Sequence, residues 1–339
     1  MNRLNWEKII FYVPLLAFLV LVPVFFQNRY QLGVITFMLI NVLLAVSCWF
    51  IMTTGQVTLG HAGFAAIGGY VSAALIGRYG MGSWWSLLIA MGTAGGVALI
   101  IGYITLRIKG IYFIVATLAL GEVIRVVFGA WEDPFGGLVG IMNLPAPDRL
   151  TIAGLPAIEF VSKISLYYLT LALVLCGVII MHRLNRSPIG LVFQGIRQAD
   201  DLAENVGVNI MGYKVLAFVM GCMFAGMGGV LYTYNVGSIQ PSSFTLIQSA
   251  HYLVYVAVGG SINVFGPILG ALVLNILSEF LRPIKEFEPI VFALILIGAV
   301  LLLQGGLIGL VLSVRRRTNE LTARVFRIVS PKRPFGTIP

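Results

Sequence analysis

The side chains best suited to chemistry lie in the stretch TTGQVTLGHAGFAAIGGYVSA, residues 53–73. Gln56, Thr58 and His61 can each donate or accept a hydrogen bond, and they stand among glycines beside a strongly apolar segment. Glycines on both sides of them are typical of a broken helix end. Irregular backbone at membrane depth is tolerated against protein or a watery cavity, where a helix N-terminus attracts a carboxylate or carbonyl oxygen. These three side chains are therefore predicted to line a path for a solute.

The second half of this stretch has a packing explanation. Ala62, Ala66, Gly69 and Ala73 form a stripe of small residues at helical spacing. Such a stripe lets another backbone approach closely within a membrane. Packing explains residues 62–73, but it does not explain the polar group that precedes them.

A second polar pair, Glu122 and Arg125, lies inside the apolar segment 111–131. Residues three apart share one face of a helix, so the two side chains can pair with each other. Because burying charge costs desolvation energy, the pair is weak evidence of stability. A structural ion pair that locks neighbouring helices is the preferred interpretation, and direct contact with a substrate or a proton relay stays open.

Sequence patterns for catalysis and metal binding are missing. There is no GxxxxGK[ST] phosphate loop, no HExxH, no Cys/His ligand spacing and no GxSxG elbow. The three cysteines all lie in apolar runs and are interpreted as packing residues: Cys48, Cys176 and Cys222. The chain is therefore predicted to be a transport protein rather than an enzyme, with no metal or cofactor of its own.

The elements that position these residues are apolar helices. The 339 residues are 59% hydrophobic and 10% charged, whereas soluble domains carry about 25% charged residues. Long continuous apolar runs without alternation favour membrane helices over a barrel. The sequence thus predicts an all-α polytopic membrane protein with about ten spans, some broken or re-entrant: 9–26 (a retained span, since no cleavage site follows), 32–52, 58–77, 86–106, 111–131, 166–182, 214–234, 246–260, 264–281 and 290–312.

Basic residues set the predicted orientation of these spans. With the N-terminus inside, most of the 22 lysines and arginines fall on the cytoplasmic side, which places both termini there. The transmembrane domain is then 1–314, with an extracellular loop at 132–165 that is expected to be folded. The basic cytoplasmic tail 315–339 is interpreted as an anchor to anionic membrane lipid, without any role for nucleic acid.

The predicted cytoplasmic loop 183–213 has a helical pattern of its own. Ser187 before Pro188 indicates a helix start, and four apolar residues then share one face: Ile189, Val192, Phe193 and Ile196. A second short helix is predicted at 199–206, ending at Gly207. The loop is either a simple amphipathic surface or a docking surface for a cytoplasmic partner.

Four blocks of the sequence resemble a known family. They are TGQVTLGHAGFAAIGGY (54–70), RIKGIYFIVATLALGEVIRVV (107–127), SPIGLVFQGIRQADDLAENVGVNIMGYKVLAFVMGCMFAGMGGVLY (187–232) and VAVGGSINVFGPILGA (256–271). In this order they resemble permease subunits of ATP-binding-cassette importers for branched-chain amino acids. Relatives in that family also move other hydrophobic amino acids, aromatic acids, short amides or urea.

The resemblance implies several partners in a bacterial inner membrane. A second homologous permease, two ATP-binding subunits that hold ATP and Mg²⁺, and an extracytoplasmic substrate-binding protein are expected. The loop 187–213 occupies the family's coupling position, and the residues implied in contact with the ATPase are Gly190, Phe193, Ile196, Arg197, Asp201, Ala203, Glu204 and Gly207. Asn205 departs from the wider importer signature, in which a small residue is common. An autonomous ion-coupled carrier or channel is the alternative from another class.

Overall fold

The part of the chain that the structure describes contains α-helices joined by short irregular segments and no β-strand. This computed structural model describes residues 19–26, 28–149, 159–282, 287, 290–291, 293–295, 297–298 and 306–309. Within these ranges we number the α-helices in chain order: α1 Arg29–Met52, α2 His61–Gly77, α3 Ser83–Thr105, α4 Ile111–Ala130, α5 Glu132–Phe135, α6 Lys163–Arg186, α7 Pro188–Gln198, α8 Asp200–Asn205, α9 Ile210–Val236, α10 Leu246–Gly259 and α11 Phe265–Leu281. Residues 19–25 are also helical, and Pro241–Ser243 forms a turn of 3-10 helix.

Helix α9 lies at the centre of the bundle and packs along α1, α2 and α3. Glycines permit the closest of these contacts: a Cβ on Gly68 would collide with the backbone of Gly226, and one on Gly229 with the backbone of Ala65. Such an approach of α2 to α9 gains van der Waals contact that larger side chains would prevent. The predicted small-residue packing is confirmed, since the members of the stripe are buried: Ala62, Ala66, Gly69 and Ala73.

Helices α6, α10 and α11 complete the packing around α1. Helix α6 runs along α1, while α11 contacts both α10 and α1. A buried amide pair joins α1 to α11: Asn41 Nδ2 donates to Asn275 Oδ1 at 2.6 Å, and Asn275 Nδ2 donates to the Ala271 carbonyl at 2.6 Å. Hydrogen bonds between helices in an apolar layer fix their relative register.

The predicted spans between residues 32 and 281 all correspond to helices. Five of these helices start three or four residues away from the predicted position: α1, α2, α3, α6 and α9. In α6 and α9 a polar cap extends the helix beyond the apolar run. Ser162 Oγ caps α6 by accepting from the amide of Ser165 at 3.1 Å, so α6 begins inside the predicted loop 132–165. Asn209 Oδ1 caps α9 by accepting from the amide of Gly212 at 3.0 Å. The spans 9–26 and 290–312 lie partly outside the described residues, and the tail 315–339 lies wholly outside them.

Five of the described helices are long and apolar enough to cross a membrane: α1, α3, α4, α6 and α9. Helices α2 and α11 are apolar but shorter, with 17 residues each. At about 1.5 Å per residue they span roughly 26 Å, slightly less than a hydrocarbon core of about 30 Å. The all-helical class is therefore confirmed, while a total near ten spans and the cytoplasmic position of both termini stay predictions.

Candidate functional site

The polar stretch after α1 is a break between two helices. The hydroxyls of Thr53 and Thr54 donate to the last carbonyls of α1, those of Phe50 and Ile51, at 2.6 and 2.9 Å. Gly55 then adopts a left-handed conformation with φ of 81°, which ends the helix. Residues 53–60 run without helix up to α2. The predicted broken helix end is present.

Helix α2 begins inside the bundle rather than at its surface. Its first residue, His61, is fully buried, with Nε2 2.8 Å from Ser47 Oγ. The preceding Leu59 amide donates to Thr117 Oγ1 of α4 at 3.2 Å. Ser47 lies five residues before the end of α1, a depth of about 8 Å. The end of the irregular segment therefore packs against protein inside the bundle, where its polar backbone is shielded.

A second helix begins at the same depth. The first-turn amide of α10, that of Leu246, donates to Glu122 Oε1 of α4 at 3.2 Å. The amide of Ala62, in the first turn of α2, donates to Ser249 Oγ of α10 at 3.0 Å. The N-termini of α2 and α10 thus meet beside the middle of α4. Each helix N-terminus carries roughly half a positive charge, so this region favours negative charge and hydrogen-bond acceptors.

Glu122 supplies a negative charge at this meeting point. Its Oε2 accepts from Arg125 Nε at 2.7 Å, and both side chains are about one-third exposed. The carboxylate therefore pairs within α4 and also caps α10, which ties the two helices together. This geometry suits the predicted lock between helices, which stays a prediction, and contact with a substrate remains the alternative.

A cavity of about 240 Å³ lies beside the first turn of α10. It is formed by α1, α9, the 3-10 turn and α10, and its walls combine aromatic and aliphatic side chains with hydroxyl and amide groups. The lining residues are Phe37, Ile40, Asn41, Leu44, Gly228, Tyr232, Ser242, Ser243, Phe244, Thr245, Gln248 and Tyr252. Such a mixture of apolar walls and a few polar groups is typical of small-molecule sites.

None of the three predicted path residues lies in the wall of this cavity. Gln56 and Thr58 are buried in the break, where Thr58 Oγ1 accepts from the Gly60 amide at 3.2 Å. His61 contacts the cavity wall through Tyr252, whose ring stands edge-on to the imidazole at 6.0 Å between centroids. Their contact with a solute stays a prediction.

Sequence reasoning missed Asn41, the polar residue of α1 that lines the cavity. Its side chain is buried, and its Oδ1 has no hydrogen-bond partner among the described residues. A signal was present, because an amide in the middle of a long apolar span is costly and marks a functional or packing position.

Helices α7 and α8 are anchored to the end of the bundle by one apolar face. Phe193 and Ile196 are buried, and the Phe193 ring packs edge-on against Phe50 of α1 at 5.8 Å. Gly190 is buried so closely that a Cβ there would collide with the backbone of Asn185. These three predicted coupling residues therefore face the bundle. Helix α7 begins at Pro188 with Ser187 in the N-cap position, as predicted, although the Ser187 hydroxyl donates to the Leu184 carbonyl at 2.7 Å and does not cap α7.

The opposite face of α7 and α8 is open. Leu191 of α7, Leu202 of α8 and Val206 directly after α8 are exposed at 67, 68 and 80%. Large apolar side chains exposed in one region are typical of an interaction surface. The predicted residues Arg197, Asp201, Glu204 and Gly207 are also exposed, and Ala203 is half-buried. Gly207 ends α8 with a φ of 84°. We call the group Leu191, Leu202 and Val206 the open apolar face.

Arg197 connects α7 to two irregular segments of the bundle. Its Nη2 donates to Ser261 Oγ at 3.1 Å, in the turn between α10 and α11. The same turn is held by Trp49 of α1, whose Nε1 donates to the Ser261 carbonyl at 3.0 Å. A Cβ on Gly55, in the break before α2, would stand 3.5 Å from Arg197 Cα. A movement of α7 would therefore be transmitted directly to the break before α2 and to the turn between α10 and α11.

Comparison with known proteins gives the family. The family model described as "Branched-chain amino acid transport system / permease component" matches residues 30–304. The high-affinity branched-chain amino acid transport system permease protein LivM of Escherichia coli (strain K12) is 30% identical over 297 residues, covering 82% of this chain and 70% of that relative. The protein of the same name from Salmonella typhimurium (strain LT2) is 28% identical with the same coverage.

A more distant relative is the probable branched-chain amino acid transport permease protein LivM of Methanocaldococcus jannaschii. It is 23% identical over 231 residues, covering 64% of this chain and 65% of the relative. No solved structure is significantly similar to the chain. The matched residues 30–304 include α1 to α11 and the whole region described above. The chain is thus a multi-pass transport subunit, and it belongs to the permease components of branched-chain amino acid transport systems.

Proposed function

We propose that this chain is a translocation subunit of an ATP-driven importer in a bacterial inner membrane. With a second, homologous permease it forms the pathway for branched-chain amino acids. An extracytoplasmic binding protein delivers the substrate, and two ATP-binding subunits hold ATP and Mg²⁺ and carry out hydrolysis. This chain binds no cofactor of its own.

The observation that carries the proposal is the two-sided surface of α7 and α8. One side is fixed to the bundle through buried Phe193 and Ile196, while the open apolar face points away from it. A rigid anchor behind an exposed apolar group is what a docking surface requires. Family membership supports an ATPase as the occupant, because the matched residues include this loop.

An ion pair between a buried lysine and a partly exposed aspartate joins α8 to α9. Lys214 Nζ of α9 lies 2.5 Å from Asp200 Oδ2, and the lysine side chain is 5% exposed. Removing one partner of such a pair leaves an uncompensated charge, so the pair holds α8 in one place. A docking surface of fixed geometry can transmit a movement of the ATPase to Arg197. From Arg197 the movement reaches the break before α2 and the turn between α10 and α11.

The names of the relatives support branched-chain amino acids as the substrate class. Uptake of aromatic acids, short amides or urea by the same kind of assembly is the alternative. An autonomous carrier is less favoured because both oxygens of Glu122, its best candidate for ion coupling, are engaged by Arg125 and the Leu246 amide.

The test reconstitutes this chain with its partner subunits in vesicles and measures ATP-dependent uptake of labelled leucine. The double variant Leu191→Asp, Leu202→Asp should lose the ATPase and the uptake while keeping a normal elution volume. Leu138→Asp is the control, because Leu138 is an exposed leucine, at 81%, in another loop. Leucine uptake by the purified chain alone, driven by an ion gradient and independent of ATP, would establish the carrier instead.

A further inference from the structure

Two charged side chains of α4 are partly exposed on the outside of this chain, near the middle of an apolar helix. Glu122 Oε2 accepts from Arg125 Nε at 2.7 Å, and each side chain is about one-third exposed. Glu122 lies about 17 Å along α4, a helix of roughly 30 Å, so its short side chain reaches neither end of the helix. Charged side chains at such a depth are costly in hydrocarbon and face a bundle interior or a water-filled cavity.

Irregular backbone lies beside the same part of α4. Residues 237–245, between α9 and α10, run without α-helix. A Cβ on Gly129 would stand 3.8 Å from Pro241 Cγ, and the Leu246 amide donates to Glu122 Oε1 at 3.2 Å. The segment therefore follows α4 between Gly129 and Glu122, over a length of about 10 Å. Non-helical backbone within a membrane is tolerated only where it is buried in protein or lines a water-filled cavity.

Part of this segment is open on the outside of the chain. Ser242 is exposed and Thr245 is half-buried, and Thr245 lies in the same cleft between α10 and α4 as Glu122. Water on this side supplies acceptors for the guanidinium donors of Arg125 other than Nε. We call the surface formed by Glu122, Arg125, Ser242 and Thr245 the polar seam.

The outward face of α3 has the opposite character. Helix α3 contains no charged residue, and Leu88, Leu99 and Ile100 are exposed on it. A regular helix satisfies its backbone hydrogen bonds internally, which is what contact with lipid requires. The two exposed surfaces of this chain therefore suit different surroundings.

We infer that the polar seam lines the water-filled pathway of the assembly, and that the outward face of α3 meets lipid. The inference rests on the proposed function, in which this chain forms that pathway with a second permease. It adds the surface of this chain that the pathway runs along. Glu122 and Arg125 then stand beside the path while they hold the start of α10.

The experiment measures the labelling of single cysteines in the purified assembly in nanodiscs, where both membrane faces are open to a reagent. The background variant Cys176→Ala removes the exposed native thiol of this chain, whereas Cys48 and Cys222 are buried. Labelling of this chain by a charged methanethiosulfonate reagent is followed by mass spectrometry.

Two variants place a thiol at the seam, and a third is the matched control. Ser242→Cys replaces an exposed hydroxyl of the seam, and Val126→Cys lies on an exposed position four residues after Glu122, on the same helix face. Gly92→Cys is the control, because Gly92 is exposed on α3 with nothing within 4 Å. From the turn that joins α3 to α4, Gly92 lies about 20 Å along its helix and Val126 about 22 Å.

Both seam cysteines should be labelled at least about tenfold faster than Gly92→Cys, because the reactive thiolate forms in water and not in hydrocarbon. Full labelling of all three variants in denaturant shows that each thiol can react. Slow labelling of either seam cysteine in the folded assembly overturns the inference, and so does Gly92→Cys that reacts as fast as the seam. If one seam variant does not assemble, the other decides.

The same preparations separate this inference from the proposed function. ATP-driven leucine uptake together with slow labelling of the seam contradicts the seam alone. Fast labelling of the seam in a protein that takes up leucine without ATP contradicts the proposed function and not the contact of the seam with water.

Discussion

Helices α1 and α9 are similar in mean hydropathy to α3 and α4, and all four are long enough to cross a membrane, but the two pairs are buried to different extents. Within an 18-residue apolar stretch of each helix, 78% of the residues in α1 and 72% in α9 are buried inside this chain. The corresponding shares are 33% in α3 and 22% in α4. We call α1, α2 and α9 the inner layer and α3 and α4 the outer layer. Hydropathy alone does not separate them, because lipid and protein interior are equally good surroundings for an apolar side chain.

The difference lies in where small residues stand. The inner layer brings backbones together at Gly68, Gly226 and Gly229. Helix α3 has a buried face of small residues and an exposed face of large ones. Its buried face carries Ala90, Ala94 and Ala98, whereas Leu99 and Ile100 point outward. Close packing among α2, α3 and α9 therefore follows the small residues, whereas α1 buries mainly large side chains such as Leu43 and Trp49. The large apolar residues on the outward faces of α3 and α4 stay exposed.

The largest expected effect comes from a large side chain in the inner layer. Gly229→Leu should destabilise the folded chain by about 3 kcal/mol or more, because the new Cβ collides with the Ala65 backbone. Little or no monodisperse protein should be recovered, as measured by size-exclusion chromatography of a tagged chain. Gly96→Leu on the outward face of α3 is the control, since nothing lies within 4 Å of that position. Equal recovery of the two variants would remove the distinction between the layers.

A smaller effect is expected where α7 meets the bundle. Gly190→Ala should displace α7 from the end of α6, because the added Cβ overlaps the Asn185 backbone. We expect transport per ATP hydrolysed to fall about tenfold, with the chain still present in the membrane. Gly195→Ala on the same helix adds a methyl group into open space and should behave as wild type. Full coupling in Gly190→Ala would speak against α7 as the transmitting element.

Glu122 links the outer layer to the start of α10, and neutralising it tests that link. Glu122→Gln should lower the free energy of unfolding by about 1 kcal/mol, because the carboxylate faces a helix N-terminus and Arg125. The measurement is a thermal melt in detergent at low salt. Glu279→Gln is the control: Glu279 also pairs with an arginine three residues on, Arg282, at 3.4 Å. A larger loss in the control would refute the special position of Glu122.

The smallest effect is expected on the outward face of α3. Leu99→Ala should change stability by less than about 0.5 kcal/mol, because the side chain is half-exposed and leaves no closed cavity. Leu43→Ala in α1 removes the same atoms from a fully buried site and should cost about 2 to 5 kcal/mol. Thermal melts of the isolated chain compare the two. A large loss for Leu99→Ala that appears only in the complete assembly would mark this face as the contact with the second permease.

Much of the local structure follows from the sequence. The break after α1 is visible in Gly55 and its neighbouring threonines, and the end of α8 in Gly207, because helix ends depend on adjacent residues. The apolar face of α7 also follows from spacing, and its members Phe193 and Ile196 are buried as that spacing indicates. The starts of α6 and α9 were displaced by caps, since an apolar run does not mark the polar first turn.

The sequence by itself determined that this is an all-helical membrane protein, where most of its helices lie, and which family it resembles. These properties depend on composition, short-range spacing and local caps. Only the tertiary structure decided which apolar helices are inside, that the N-termini of α2 and α10 meet at Glu122, and that Asn41 faces a cavity with Gln248. Such contacts join residues that are far apart in the chain, so no local sequence pattern predicts them. Hydropathy does not predict them either, because an apolar helix surface is equally stable against lipid and against protein.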